Sequence, residues 1–230
     1  MMPGAPPIRE FLSGGIGVEL IYSFIIIVCS LMIYFATKEM DKLTSYKGIK
    51  YFRLSFLFFA FAYFFRYFIR FFLFSFHLNE ILEFSPMFAG AVPLFVFLYF
   101  SSMAIFFLLY SVMWKKWDHS RLTLILFNLC ALAIALVSIL IRWAFVYFII
   151  NLGLLSIILF VIFVAYKDSK SKPKAKNLFI LYLLLSVFWI LNVTDILTPK
   201  FLSIYQLLVY LASTLLFMLM LYKVLKTTGG

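Results

Sequence analysis

Seven uninterrupted apolar runs, each about twenty residues long, constrain this chain more than any other feature. They cover roughly Gly15–Thr37, Tyr51–Phe76, Phe88–Trp114, Leu122–Ile141, Trp143–Tyr166, Leu178–Leu197 and Phe201–Lys223. At ~1.5 Å per helical residue each run can cross a hydrocarbon layer of ~30 Å. A membrane β-barrel would instead show alternating segments of ~10 residues, and these runs are continuous. The fourth and fifth are separated only by Arg142 and its neighbours. Fusing them would give a span of more than forty residues, too long for one crossing. Composition agrees, with 66% apolar residues against ~45–50% in soluble domains, and a mean hydropathy of +1.09. The surplus apolar surface must face lipid. The expected fold class is all-α: a polytopic membrane protein with seven transmembrane helices, forming one transmembrane domain over residues 1–230.

Orientation follows from the cations. Lys38, Lys42, Lys47, Lys50 and Arg53 cluster between the first two runs, Lys115, Lys116 and Arg121 between the third and fourth, and Lys167, Lys170, Lys172, Lys174 and Lys176 between the fifth and sixth. Lys223 and Lys226 add to the tail, whereas the other side carries only Arg9, Arg142 and Lys200. The positive-inside rule places the N-terminus outside and the C-terminus inside, in a multi-pass cell-membrane protein. The net charge of +11 is then accounted for by orientation and attraction to anionic headgroups, without nucleic acid as a partner. The opening "MMPGAPPIREFLSGG" lacks the charged start of a signal peptide, and Glu19 interrupts the apolar run after it. Cys29 and Cys130 fall inside spans and read as small buried hydrophobes.

The third run ends "FLYFSSMAIFFLLYSVMWKK" and the seventh "VYLASTLLFMLMLYKVLKTT". Laid over each other, Ser101 meets Ser213, Ser102 meets Thr214, and "LYSV" meets "LYKV". Aligning the starts of the second and sixth runs brings Arg66 onto Asn192. Helices one to three and five to seven would then be parallel repeats joined by helix four. This 3+1+3 plan resembles the SWEET and PQ-loop carriers and the KDEL receptors. The resemblance covers the whole chain as architecture and implies transport or ligand capture between two triplets. The Pro-Gln dipeptide that names the PQ-loop group is absent, as is a matched proline in each triplet, so no functional residue is carried over. Microbial rhodopsins share the helix number, but their retinal needs a lysine at mid-depth in the seventh helix, and Phe201–Tyr222 contains none.

Charge inside a bilayer costs at least ~2.5–3.5 kcal/mol on insertion scales, so it marks a candidate functional site. Glu19, Arg66, Arg70 and Asp195 fall clearly within the runs, two of each sign. Arg66 lies sixteen residues past Lys50, ~24 Å from the inner edge, and Asp195 nineteen past Lys176, ~28 Å. Glu19 is near the start of a helix that runs inward. All belong to the outer third. Residues three or four apart share a helix face: Arg66 with Arg70, Asn192 with Asp195, Tyr147 with Asn151, Gln206 with Tyr210 and Ser213, and Glu19 with Ser23 and Ser30. Ala131, Ala135 and Ser138 form a small-residue face on the fourth helix, joined by Asn128. The polar faces should turn inward. Their convergence predicts an outward-opening pocket for a small polar or anionic solute, lined by Glu19, Tyr22 or Ser23, Arg66, Arg70, Asn151, Asn192, Asp195 and Gln206, with an arginine as anion partner. The competing reading is structural: Arg66 pairs with Asp195 or Glu19, and Arg70 snorkels to the headgroups.

Several chemistries find no support. His77 and His119 stand in loops on opposite sides, no HExxH or Cys/His cluster offers a zinc site, and no GxSxG elbow is present. No cofactor is expected, and enzyme activity is disfavoured, although a carboxylate such as Glu19 or Asp195 could serve a headgroup-modifying enzyme as a base. The 31 phenylalanines read as lipid-facing or packing residues, with an acyl-chain groove as the alternative. The leading expectation is a small-solute carrier. A receptor or sensor for a ligand or lipid is the alternative, as is a non-catalytic subunit of a membrane complex. Homo- and hetero-oligomers both stay open.

Overall fold

The computed structural model describes residues 16–43, 48–75, 86–117, 121–141, 144–171, 175–197 and 203–228. Within them lie seven α-helices: α1 (Ile16–Leu43), α2 (Gly48–Ser75), α3 (Pro86–Met113), α4 (Arg121–Ile141), α5 (Ala144–Ser171), α6 (Ala175–Leu197) and α7 (Ser203–Thr228). Six of them, α1 to α5 and α7, are long and apolar enough to cross a membrane, and α6 contributes the apolar stretch Phe179–Leu191 among its described residues. The protein is an all-helical, multi-pass integral membrane protein. The reason is elementary: without water in hydrocarbon, each backbone N–H and C=O must be satisfied within its own segment, which a helix does.

Several helices overrun the apolar runs. α1 continues through Lys38–Leu43 and α5 through Lys167–Ser171. A helix need not stop where hydrocarbon stops, because charged side chains tolerate a helical backbone in the headgroup region. Pro93 lies inside α3 and is buried. At its lower end α3 closes in a turn in which Lys116 N and Trp117 N donate to Met113 O at 2.9 and 3.2 Å.

Six helices make a ring. α1 packs on α2 and α7, α2 on α3, α3 on α5, α5 on α6, and α6 on α7. α4 sits outside it against α3, with a lighter contact to α5. Its buried residues are Ala131, Ala135 and Ser138, the small-residue face the sequence indicates. Such a seam lets backbones approach closely. Cys130 departs from expectation: it is exposed, whereas Cys29 is buried. α4 has a single packed face, and Cys130 falls on the other side of the helix. Asn128 is exposed as well, although Tyr99 of α3 reaches it.

Chain direction alternates along the sequence, so the ring neighbours α3 and α5, and α7 and α1, run parallel while the other ring neighbours run antiparallel. The end where α1, α3, α5 and α7 begin is called the upper end below. The middle of the bundle is aromatic. Phe56 and Phe59 of α2, Phe188 of α6 and Phe217 of α7 are fully buried. Phe188 meets Phe217 edge to face, with centroids 4.6 Å apart at 83°; Phe56 and Phe217 are 6.4 Å apart, and Phe59 and Phe188 6.5 Å. The same phenylalanine run sends Phe61, Phe64 and Phe68 outward, because the helical period divides it between core and lipid. Near the lower end, the Ser111 and Tyr182 hydroxyls bond at 2.7 Å between α3 and α6. There too Arg53 Nε donates to Tyr34 O at 3.2 Å, with its guanidinium over the Tyr34 ring at 4.6 Å.

This core carries stability through packing rather than through escape from solvent, since lipid is as apolar as the interior. Phe217→Ala is expected to lower unfolding stability in bicelles by about 2 kcal/mol or more. Phe163→Ala, at a ring that is 66% exposed, should stay within about 0.5 kcal/mol of the parent. Equal losses in a denaturant titration would contradict the assignment of core and lipid faces.

Candidate functional site

The upper half of the bundle holds a layer of hydroxyls and two opposite charges. Its centre is Tyr22 of α1, placed inward because it shares a helical stripe with Ser23, Ile26 and Ser30, all buried. The Tyr22 hydroxyl lies 3.3 Å from that of Tyr63 on α2. Its ring stacks on Tyr210 of α7, with centroids 4.7 Å apart at 20°. The Tyr210 hydroxyl in turn donates to Glu19 Oε1 at 3.5 Å. Three helices therefore meet through tyrosines, with a carboxylate at one edge. Ser213, one turn below Tyr210, approaches the Tyr22 hydroxyl, yet its buried Oγ has no hydrogen-bond partner of ordinary geometry.

The guanidinium is at the other edge. Arg66 of α2 is half-buried and lies over the faces of Phe97 on α3, at 4.6 Å, and of Tyr67, at 5.4 Å. Tyr63 holds both rings in place: it stacks on Tyr67 at 6.4 Å and 13° and meets Phe97 edge-on at 5.7 Å and 89°. Tyr147 and Glu19 act on the Arg66 charge electrostatically, and the charge reaches the Tyr22 and Tyr63 hydroxyls. Its N–H groups make no hydrogen bond among the described residues. Cation–π contacts contribute ~0.5–2 kcal/mol each with increasing desolvation, and two of them offset much of a charge cost that reaches ~2.5–3.5 kcal/mol only at helix centre. Ring faces can therefore hold this arginine in the membrane while its donors stay unspent.

Below the layer the interior turns apolar. Tyr63 rests against Phe188 at 6.4 Å, and beneath them lie Phe59, Phe56 and Phe217. Trp189 packs on Phe59 at 6.3 Å, with its buried Nε1 lacking a partner.

The residues singled out in the sequence divide into three groups. Glu19 and Arg66 belong to one layer, and Gln206 is half-buried one turn above Tyr210. Ser23 and Asn151 are buried, but both bond to their own helices: Ser23 Oγ donates to Glu19 O at 2.5 Å, and Asn151 Nδ2 to Tyr147 O at 2.8 Å. Arg70 stands on α2 and Asn192 and Asp195 on α6, but their side chains lie outside the described residues, as do Arg142, His77 and His119. Sequence reasoning passed over Tyr67 and Phe97, the two rings beneath the arginine. Tyr67 directly follows Arg66, and Phe97 lies on another helix that only packing identifies. Among the described residues no cluster of three or more His, Cys, Asp or Glu could hold a metal ion. The arrangement supplies one cation, one carboxylate and several hydroxyls on an aromatic floor. That set suits recognition of a small polar or charged group.

No protein-family model matches the chain, and no solved structure matches it. An uncharacterized protein of Archaeoglobus fulgidus is 32% identical over 228 residues, covering 98% of this chain and 97% of its own length. The similarity runs through all seven helices, and the chain belongs to the same family as that Archaeoglobus fulgidus protein.

Proposed function

We propose that this protein binds a small polar or anionic solute in the tyrosine layer at its upper end and carries it across the membrane. The observation behind the proposal is Arg66: a half-buried charge on a membrane-spanning helix, seated on two rings, with its hydrogen-bond donors unspent among the described residues. An oxyanion or carboxylate would supply the acceptors, with Tyr22 and Ser213 offering hydroxyls from below. Glu19 would favour a solute that also carries a donor or a positive group. Arg70, Asn192, Asp195 and Gln206, near the same end in sequence, would complete the mouth. The upper end would face outward by the distribution of lysines.

A carrier reading draws support from the helix order. In α1–α2–α3 and in α5–α6–α7 the middle helix packs on both others, and α4 is peripheral, as a linker between parallel repeats would be. The site joins α1 and α2 of one triplet to α7 of the other. A second reading, a receptor or sensor, draws on the buried Phe56, Phe59, Phe188 and Phe217 beneath the layer, which would close the path below a bound ligand.

Purified protein in proteoliposomes, offered a panel of radiolabelled carboxylates, phosphates and amino acids, tests both. At least one solute should accumulate. Arg66→Ala should weaken its binding about 10-fold to 100-fold, the loss of one charged hydrogen-bonding partner of ~1.5–3 kcal/mol, and Glu19→Gln and Asp195→Asn should lower uptake. Binding without uptake would favour the sensor, and no uptake of any solute, with or without the substitutions, would sink the carrier.

Stability separates a binding arginine from a structural one. Breaking a buried ion pair costs ~3–5 kcal/mol because the partner charge is stranded. Arg66→Met is instead expected to leave unfolding stability within about 1 kcal/mol of the parent or to raise it, since an intramembrane charge is removed. A loss of several kcal/mol on denaturation in bicelles would show a structural pair. The orientation is tested with a membrane-impermeant maleimide on intact cells. Met2→Cys should label directly, and Thr228→Cys only after permeabilisation.

A further inference from the structure

The exposed flank of α4 carries an amide whose donors neither the fold nor the upper site uses. Asn128 is the eighth residue of the helix, about 10 Å along its axis from Arg121, and its side chain is exposed. Tyr99 Oη donates to its Oδ1 at 2.6 Å. This bond occupies one of the two lone pairs of that carbonyl oxygen. The two Nδ2 hydrogens have no partner among the described residues. They open onto a groove of about 390 Å³ between α3 and α4, lined by Tyr99, Leu124, Ile125, Asn128, Leu129 and Leu132. In water an exposed amide needs no partner. In hydrocarbon, an unpaired donor costs free energy, and no lipid atom at that depth accepts a hydrogen bond.

We infer that this face pairs with a second copy of the chain across a twofold axis at Asn128. An amide with one spare acceptor site and two spare donors is self-complementary. Two asparagines related by a twofold exchange reciprocal Nδ2–H to Oδ1 bonds, which use the spare acceptor site and one of the two donors of each, while each Tyr99 bond is kept. The shape agrees. The exposed ridge of Leu122, Ile125 and Leu129 flanks the groove on the same side of the helix, so the ridge of one copy can enter the groove of the other, as an isologous contact requires. The leucines alone would carry no such argument, because lipid covers apolar surface equally well. The amide is what lipid cannot satisfy. Cys130 is exposed on a different flank of α4, two residues and about 200° around the helix from Asn128, and faces lipid in the dimer.

The test uses the full chain in lipid bilayers at graded protein-to-lipid ratios, with subunits counted by single-molecule photobleaching. The parent should be dimeric at all but the lowest densities. Asn128→Leu should weaken the dimer about tenfold or more, as expected for two interhelical hydrogen bonds of ~0.6–2 kcal/mol each. Tyr99→Phe removes the intrachain bond but leaves the amide, and should remain dimeric, which separates the interface from local folding. In a Cys130→Ser background, Leu132→Cys should form an oxidative crosslink between copies, whereas native Cys130 in the parent should not. A monomer at every density, or equal association of parent and Asn128→Leu, would overturn the inference. A crosslink through Cys130 instead of position 132 would overturn it too, by placing the contact on another face.

Discussion

A half-buried guanidinium seated on aromatic faces is the interaction on which the rest of the upper half depends. Arg66 lies over Phe97 and Tyr67, and that seat fixes what surrounds it. Phe97 must come from α3, so α2 and α3 must pack closely at this level. Tyr63 must stand one turn below to brace both rings. Its hydroxyl then meets that of Tyr22, which commits α1. Tyr22 stacks on Tyr210, which commits α7. The quadrupole of a ring attracts a cation without offering it a hydrogen bond. It thus compensates the charge while sparing the directional donors. A carboxylate in the same place would neutralise the arginine and consume those donors.

The vertical order of the aromatics has a related cause. Tyrosine brings an apolar ring and one polar atom, so it suits a layer where a polar site meets an apolar core. Tyr22, Tyr63, Tyr67 and Tyr210 occupy that layer. The next turns down carry phenylalanine, which has no polar atom to satisfy. Phe188 and Phe217 can therefore pack edge to face at 4.6 Å with nothing to hydrogen-bond. Ser30 and Ser213 are small buried hydroxyls without partners. They mark where that economy is incomplete, and Ser213 lies against the tyrosine layer.

Much of the fold was legible because the bilayer reduces it to run lengths. The helix number, the inward stripe of Glu19, Ser23 and Ser30, and the packed face Ala131, Ala135, Ser138 all follow from spacing alone. The seat of Arg66 did not. In a soluble helix hydrophobicity itself names the buried face, but in a lipid-facing helix both sides are apolar and the contrast vanishes. Phe61 and Phe59 differ by two positions and by nothing in chemistry, yet one is exposed and the other fully buried. Phe97 was indistinguishable from other phenylalanines for the same reason. Cys130 was misread as buried because a span in hydrocarbon is not a helix in a core. α4 sits outside the ring, and most of its surface meets lipid.

The ring also decides where motion between triplets would have to occur. α1–α2–α3 and α5–α6–α7 meet along two seams, α1 with α7 and α3 with α5. The first is crossed by the Tyr22–Tyr210 stack and by the bond from Tyr210 to Glu19, at 3.5 Å the long end of a hydrogen bond. Lower down it gives way to edge-to-face contacts of α2 with the other triplet, Phe56 with Phe217 and Phe59 with Phe188. The upper seam is thus the polar one, and the lower seam the dry one. A solute bound by Arg66 from one triplet and by groups of α7 from the other would add attraction across the upper seam and none below. Closure at the top is then what such a solute favours. Opening at the bottom would require separating Phe56 from Phe217 and Phe59 from Phe188, contacts that lipid tails could replace but water could not.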